Sequence, residues 1–379
     1  MNIKDNVVYF SESPRVEITV EERSDVYISP YPDLNEACTY GKIIKLEHQA
    51  DEKNNGILLA TKENGAYKSK AKDQRYPIMS STDNGKTWNE ITRVADELNI
   101  DAIPGYQPYL FELPANVGEF NKGTVFLAFA SIDGKDYHIS ITLAFSNDLG
   151  KTWKTYQNID VGGRSKNAIW EPVLAYEEET KRIYCFYSDE RDEKHSQKLV
   201  YRYTTDLKVW SDVFDCTALE NQGARPGMVS LTRMGNGKWA LVFELTGINI
   251  KFTERLDKWD ISDPGRMITD QSGVHSTSGP VIAWSPCPGD KGTLFLTSAY
   301  QEGSPTRCNM FVSFDYGESF LSFPNPINVL AHSDEYEFYG GYSAGMYVDK
   351  EGTLYYVNNP QNKSTPCQEK LEFVRMKVK

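Results

Sequence analysis

The chain has 379 residues, is 12% aromatic with 23 tyrosines, and carries a net charge of −12 at pH 7. That charge argues against nucleic-acid partners, whose binders need basic patches, and no run of about 18 apolar residues offers a membrane span. The start, Met1-Asn2-Ile3-Lys4-Asp5-Asn6, lacks the apolar core of a signal peptide, so the expected setting is cytoplasmic, or secreted after loss of a leader.

In chain order, the N-terminus offers two short strand patterns, Val16 to Val20 and Val26 to Ser29. Triplets of strands follow. The first is Lys42 to Leu46, Ile57 to Thr61 and Pro77 to Ser80; the second is Gln107 to Leu113, Thr124 to Ala130 and Ile139 to Phe145. The third is Trp170 to Tyr176, Ile183 to Tyr187 and Leu199 to Tyr203; the fourth is Met228 to Arg233, Trp239 to Leu245 and Ile250 to Thr253. The fifth is Val281 to Trp284, Thr293 to Ala299 and Asn309 to Ser313. Ala344 to Val348, Thr353 to Asn358 and Leu371 to Val378 close the chain. Tight glycine turns such as Gly235-Asn236-Gly237 separate first from second strands.

The third strand of several triplets runs into one motif. Ser81-Thr82-Asp83-Asn84-Gly85-Lys86-Thr87-Trp88 and Ser146-Asn147-Asp148-Leu149-Gly150-Lys151-Thr152-Trp153 are full copies, and Ser313 to Phe320 is a relaxed one. Aspartate in a tight turn accepts backbone N–H groups, glycine supplies φ > 0, and the aromatic packs beneath. Degenerate copies at Thr204 to Trp210 and Phe252 to Trp259 align Asp206 and Asp257 with Asp83, Asp148 and Asp315. The aligned acids stand roughly 50–65 residues apart, the size of a four-stranded blade with loops. The pattern resembles the Asp box of sialidase-like β-propellers. The expected fold is therefore all-β: a six-bladed propeller of four-stranded antiparallel blades, one domain over residues 1–379, with the two chain ends sharing the sixth blade. Five blades is the alternative.

Alternating strand direction puts the start of each first strand and the end of each second strand on one face, and every Asp box on the other. The active face then collects Gln107, Trp170, Glu171, Arg225, Ser278 and Tyr342 from first strands. Second-strand ends add Lys62, Glu63, Ser131, Asp133, Ser188 to Arg191, Glu244, Tyr300 and Asn358. Carboxylates, aromatics and polar groups at one mouth suit a sugar site. Glu171 and Glu244 each sit in an apolar run, where burial raises a carboxyl pKa toward what a general acid needs. Arg191, Arg225 and Asp189 read either as hydroxyl-binding or as ion pairs between blades. Trp170 reads as a stacking platform or a pocket wall, Gln107 as a hydroxyl partner, and the single His195 as structural. The scattered cysteines (38, 185, 216, 287, 308, 367) read as free thiols. No metal or cofactor is expected, since the histidines lack ligand spacing.

Trp170-Glu171-Pro172, Tyr187 to Asp192, His195 to Val200, Arg225 to Met228, Phe243-Glu244 and Tyr106 to Pro114 together resemble glycoside hydrolase family 93. The resemblance implies a six-bladed propeller and a retaining exo-α-1,5-L-arabinanase that releases arabinobiose. It implies Glu171 as acid/base and Glu244 as nucleophile; the strand topology, independently, sets Gln107, Trp170, Asp189, Arg191, Arg225, Tyr300 and Tyr342 as the residues expected around the substrate. The expected partner is arabinan or an arabino-oligosaccharide, and the expected state a monomer. A sialidase, another exo-glycosidase and a non-catalytic carbohydrate-binding propeller are the alternative readings. The sialidase signature Arg-Ile-Pro is missing, and the binding module predicts no paired carboxylates on one face.

Overall fold

Six antiparallel sheets close into a ring in this computed structural model, which describes residues 2–4, 7–10, 16–30, 38–64, 75–99, 103–134, 136, 138–164, 166–301, 309–327, 343–360 and 370–379. Blade 1 holds strands Lys42–Lys45, Leu58–Thr61, Tyr76–Ser81 and Asn89–Val94. Blade 2 holds Ile103–Glu112, Val125–Ile132, Ile139–Ser146 and Lys154–Val161, and blade 3 Ile169–Glu177, Arg182–Asp189, Lys198–Thr204 and Phe214–Thr217. Blade 4 holds Gly227–Arg233, Trp239–Glu244, Ile248–Thr253 and Arg266–Met267, and blade 5 Val281–Ser285, Thr293–Thr297, Asn309–Ser313 and Leu321–Pro324. Blade 6 takes Gly345–Val348, Leu354–Asn358 and Lys370–Val378 from the C-terminus and Val16–Ile28 from the N-terminus. Six blades closed by both chain ends is the predicted architecture, and it leaves no open sheet edge between first and last blade.

Each blade is buried on both faces, and strand alternation divides its side chains between two neighbours. Ile43 and Leu58 pack toward blade 6, whereas Ile44 and Leu59 pack toward blade 2. Val173 faces blade 4 and Leu174 blade 2; Leu241 faces blade 3 and Val242 blade 5. Six such clusters, one per interface, replace a single central core.

The motif turns form as read. In blade 1, Asp83 Oδ1 accepts the Thr87 N–H at 2.9 Å and the Ser81 hydroxyl at 2.8 Å, and Oδ2 accepts the Thr87 hydroxyl at 2.7 Å. Asp148 and Asp315 make the same set with Thr152 and Ser146, and with Ser319 and Ser313. Gly85 has φ 88°, and a Cβ there would overlap the Phe373 ring of blade 6. Asp206 accepts the N–H groups of Lys208 and Val209.

Two expectations are corrected. Asp257 is not the turn aspartate of blade 4: Thr253 takes the serine position, which places Arg255 where the acid would be, and Asp257 instead pairs with Arg182 and Arg255. The N-terminal strands are one strand, Val16–Ile28, because the long C-terminal strand pairs with it throughout and two register shifts absorb the irregularity. A hairpin, Asn2–Lys4 with Val7–Phe10, extends this sheet beyond the four strands expected. Cys38, Cys185 and Cys216 are buried free thiols and Cys287 is a half-buried one; Cys308 and Cys367 lie outside the described residues.

Candidate active site

At the mouth of the ring, every inner strand opens on a left-handed residue. These are Tyr40 (φ 50°), Gln107 (φ 55°), Glu171 (φ 66°), Met228 (φ 52°), Gly279 (φ 57°) and Ser343 (φ 52°). In blades 2 to 4 the pairing with the second strand shifts register at this point, the mark of a bulge that re-aims a side chain. A non-glycine residue held there costs about 1–3 kcal/mol and persists only when its surroundings over-determine it. The surroundings here are hydrogen bonds to the preceding blade. Gln107 N–H donates to Glu63 at 3.4 Å, Glu171 N–H to Gln107 Oε1 at 3.0 Å, Met228 N–H to Glu171 Oε2 at 3.0 Å, and Gly279 N–H to Glu244 Oε2 at 3.0 Å.

Glu171 and Glu244 therefore occupy consecutive links of one wheel, close enough that each charge matters to the site. The Glu171 carboxyl is pushed up to about 7, first by burial and then by the charge of Glu244. Its Oε2 accepts the Ser188 hydroxyl at 2.8 Å and Met228 N–H, and its Oε1 accepts the Tyr40 hydroxyl at 3.2 Å. Burial raises Glu244 as well, but Gly279 N–H, the Ser278 hydroxyl at 3.0 Å and the charge of Arg225 all oppose it. The two carboxyls are thus differently tuned. Burial pushes both carboxyls up, and at Glu244 the Gly279 and Ser278 donors and the Arg225 charge work against that rise.

Tyr40 belongs to blade 1, yet its hydroxyl reaches Glu171 on blade 3 and Gln107 Nε2 on blade 2. With Gln107 it roofs a channel of about 400 Å³ along the propeller axis. Lys42 lies in its wall, donating to Ser343 Oγ at 3.2 Å and Ala344 O at 3.0 Å; burial lowers its ammonium to about 8 against the opposing pull of Glu171.

The other predicted residues are distributed unevenly. Gln107 sits in the mouth, with its side chain engaged by Glu171 and Tyr40. Trp170 packs edge-on against Tyr106 at the blade 2–blade 3 interface. Arg191 and Asp189 join each other and Asp160 of blade 2, at 2.7 and 2.8 Å, which is the latch between blades. Arg225 is half exposed and bonds Glu190, Gln197 and Ser196 on blade 3, with its charge felt at Glu244. The backbone of Tyr300 pairs with Ser278, whereas Tyr342 lies outside the described residues. His195 bonds Asp192. Sequence reasoning put Ser188 and Ser278 on the active face without giving them a role, and it did not single out Tyr40, because a tyrosine reaching across two blades leaves no local pattern. Among the described residues no group of His, Cys, Asp or Glu is arranged to hold a metal.

No family model and no curated protein matches the chain. Solved structures do. An α-L-arabinanase of Penicillium chrysogenum, complexed with arabinobiose, is 29% identical, with a TM-score of 0.78 over 94% of this chain and 98% of that one. The resemblance to glycoside hydrolase family 93 holds over nearly the whole chain. A family 93 α-L-arabinofuranosidase of Fusarium graminearum, also with arabinobiose, is 26% identical over the same shares, with a TM-score of 0.77. The NanB sialidase of Streptococcus pneumoniae, 9% identical, matches 93% of this chain and 70% of its own at a TM-score of 0.60 and shares the fold alone.

Proposed function

We propose that this chain is a glycoside hydrolase acting on arabinose polymers. In finer terms it is a retaining exo-enzyme that cleaves α-1,5-linked L-arabinan or its oligosaccharides and releases arabinobiose. The observation that carries the reading is the pair of carboxyls, Glu171 and Glu244, at one mouth, each holding the N–H of the next blade's left-handed residue. The sugar comes from the similarity to two arabinose-directed enzymes.

Glu244, whose carboxylate form is favoured by Ser278, Gly279 and Arg225, attacks the anomeric carbon. Glu171 gives its proton to the departing glycosidic oxygen through Oε1, the oxygen not held by Ser188 and Met228. A glycosyl ester to Glu244 results. Glu171, now a carboxylate, takes a proton from the water that attacks the ester, so the sugar leaves as a hemiacetal with its anomeric configuration retained and both carboxyls return to their starting states. The preceding-blade bonds keep Glu171 in its strained backbone, so little reorganisation accompanies proton transfer. Residues 1–379 act as one catalytic unit, because blade 6 needs both ends of the chain.

The test is incubation with linear α-1,5-arabino-oligosaccharides and, separately, a sialyl reporter. Arabinobiose as sole early product supports the reading. Release of sialic acid, or no turnover of any glycan, refutes it.

A further inference from the structure

Near the mouth, the inner strands of blades 6 and 1 approach too closely for a side chain between them. A Cβ on Gly345 would lie 2.6 Å from Gly41 O and 2.8 Å from Lys42 Cα, and a Cβ on Gly41 would strike the Leu371 side chain of blade 6. Gly41 thus turns its bare side to blade 6. Alternation sends Lys42 off the other face of the strand, into the channel that Tyr40, Gln107 and Glu171 also line. The close approach lets its ammonium turn back to blade 6, where it holds Ser343 Oγ and Ala344 O. Ser343 is the left-handed residue of blade 6, so the lysine is anchored in the same wheel that fixes Glu171.

Accepting the two-carboxylate reading above, we propose that Lys42 is a positioning residue for Glu171: its anchored positive charge stabilises the carboxylate that Glu171 becomes once its proton has gone to the leaving oxygen. Three carboxyls gather at this mouth, and each has a cation set against its burial. Arg225 acts on Glu244 and Lys62 on Glu63, while Lys42 and Glu171 attract one another. Burial with the Glu244 charge outweighs that attraction at Glu171 in the resting enzyme, which is what keeps the acid protonated. The balance changes when Glu244 becomes an ester. Its negative charge is gone, Glu171 has lost its proton, and the ammonium of Lys42 then faces a carboxylate with that repulsion removed.

The other charged groups on the elements packed around Lys42 are engaged elsewhere. On its own strand, Lys45 pairs with Asp349 at 2.7 Å. Thr61 is its partner across the sheet, and the following Lys62 bonds Asn64 Oδ1 at 2.8 Å and lies 4.4 Å over the Tyr27 ring. Glu63 accepts the Gln107 N–H. On blade 2, Glu112 ends the inner strand at the far side of the ring and holds the N–H groups of Glu47 and His48. The inner strand of blade 6, Gly345–Val348, carries one titratable group, Tyr347, which bonds Glu47 at 2.7 Å. Glu171 is the group whose charge acts on the lysine.

The experiment is kcat/KM on arabinotriose from pH 5 to 10 for wild type, Lys42→Gln, Lys42→Met and Lys42→Arg, beside carbon-13 NMR titration of the glutamate carboxyls, with Glu171 assigned from the spectrum of Glu171→Gln. A cation beside a carboxyl lowers its pKa, so removing it makes the proton harder to lose. The alkaline limb and the Glu171 titration should both move up by about one unit in Gln and Met. Arg keeps the charge and should hold both within about 0.3 unit of wild type. Gln keeps a donor for Ser343 and Ala344, and thermal melting shows whether each variant is folded. If Lys42 merely props blade 6, Gln keeps the limb and the titration of wild type; that result overturns the proposal, as does an equal shift in Arg and Gln. Wild-type protein that cleaves no arabino-oligosaccharide refutes the underlying reading, whereas the NMR titration decides the lysine without turnover, and so separates the two failures.

Discussion

Ser278→Ala tests the tuning of Glu244 directly. The Ser278 hydroxyl and Gly279 N–H both donate to Glu244 Oε2 at 3.0 Å, and both favour the carboxylate that attacks. A hydrogen bond to a charged group is worth about 1.5–3 kcal/mol, and the lower figure applies because Gly279 keeps its hold on the same oxygen. With about 1.36 kcal/mol per pKa unit, losing the hydroxyl raises the Glu244 pKa by about one unit. The sign follows from the charge: the donor stabilises the ionised form, so its removal makes the proton harder to lose. The acid limb of kcat/KM against pH should move up by about one unit. The alkaline limb, set by Glu171 near 7, should stay, which narrows the active range. The assay is initial rates on arabinotriose from pH 3 to 9. An unmoved acid limb, or one displaced to lower pH, refutes the claim that these donors favour the Glu244 carboxylate.

Glu171→Gln and Glu244→Gln should each abolish turnover of arabino-oligosaccharides while leaving the thermal melt intact; near-native activity in either removes that residue from its role. Gln107→Ala should lower kcat by at least tenfold with arabinobiose affinity changed less, since Gln107 anchors the strained Glu171 backbone. Asp148→Ala should lower the melting temperature and leave kcat/KM unchanged, because that turn lies at the end of the strand remote from the mouth. Gly85→Ala should destabilise by about 2 kcal/mol or more, read by denaturant unfolding, from a positive φ together with overlap on Phe373.

The repeat was legible because its turn is made locally. Asp83, Gly85 and Thr87 lie within one turn and bond each other, so their spacing alone reports the structure. Strand alternation likewise placed Glu171 and Glu244 on one face before any coordinates. The Asp257 alignment failed where the turn lost its aspartate and Asp257 served an interblade ion pair instead. What the sequence could not show is the wheel of left-handed residues. The conformation of Gln107 and Glu171 is enforced by groups on the preceding blade, tens of residues away, and neither side chain carries a local preference for φ > 0. Tyr40 escaped notice for the same reason: its function arises from a reach across two blades.

The central claim is that Glu171 and Glu244 form an acid–nucleophile pair that cleaves arabinan from its end with retention. Proton NMR of linear arabinotetraose during the first turnovers measures bond choice and stereochemistry together. Arabinobiose appearing first as its α-anomer is the predicted result. A β-anomer appearing first, arabinose as the initial product, or intact substrate would contradict it.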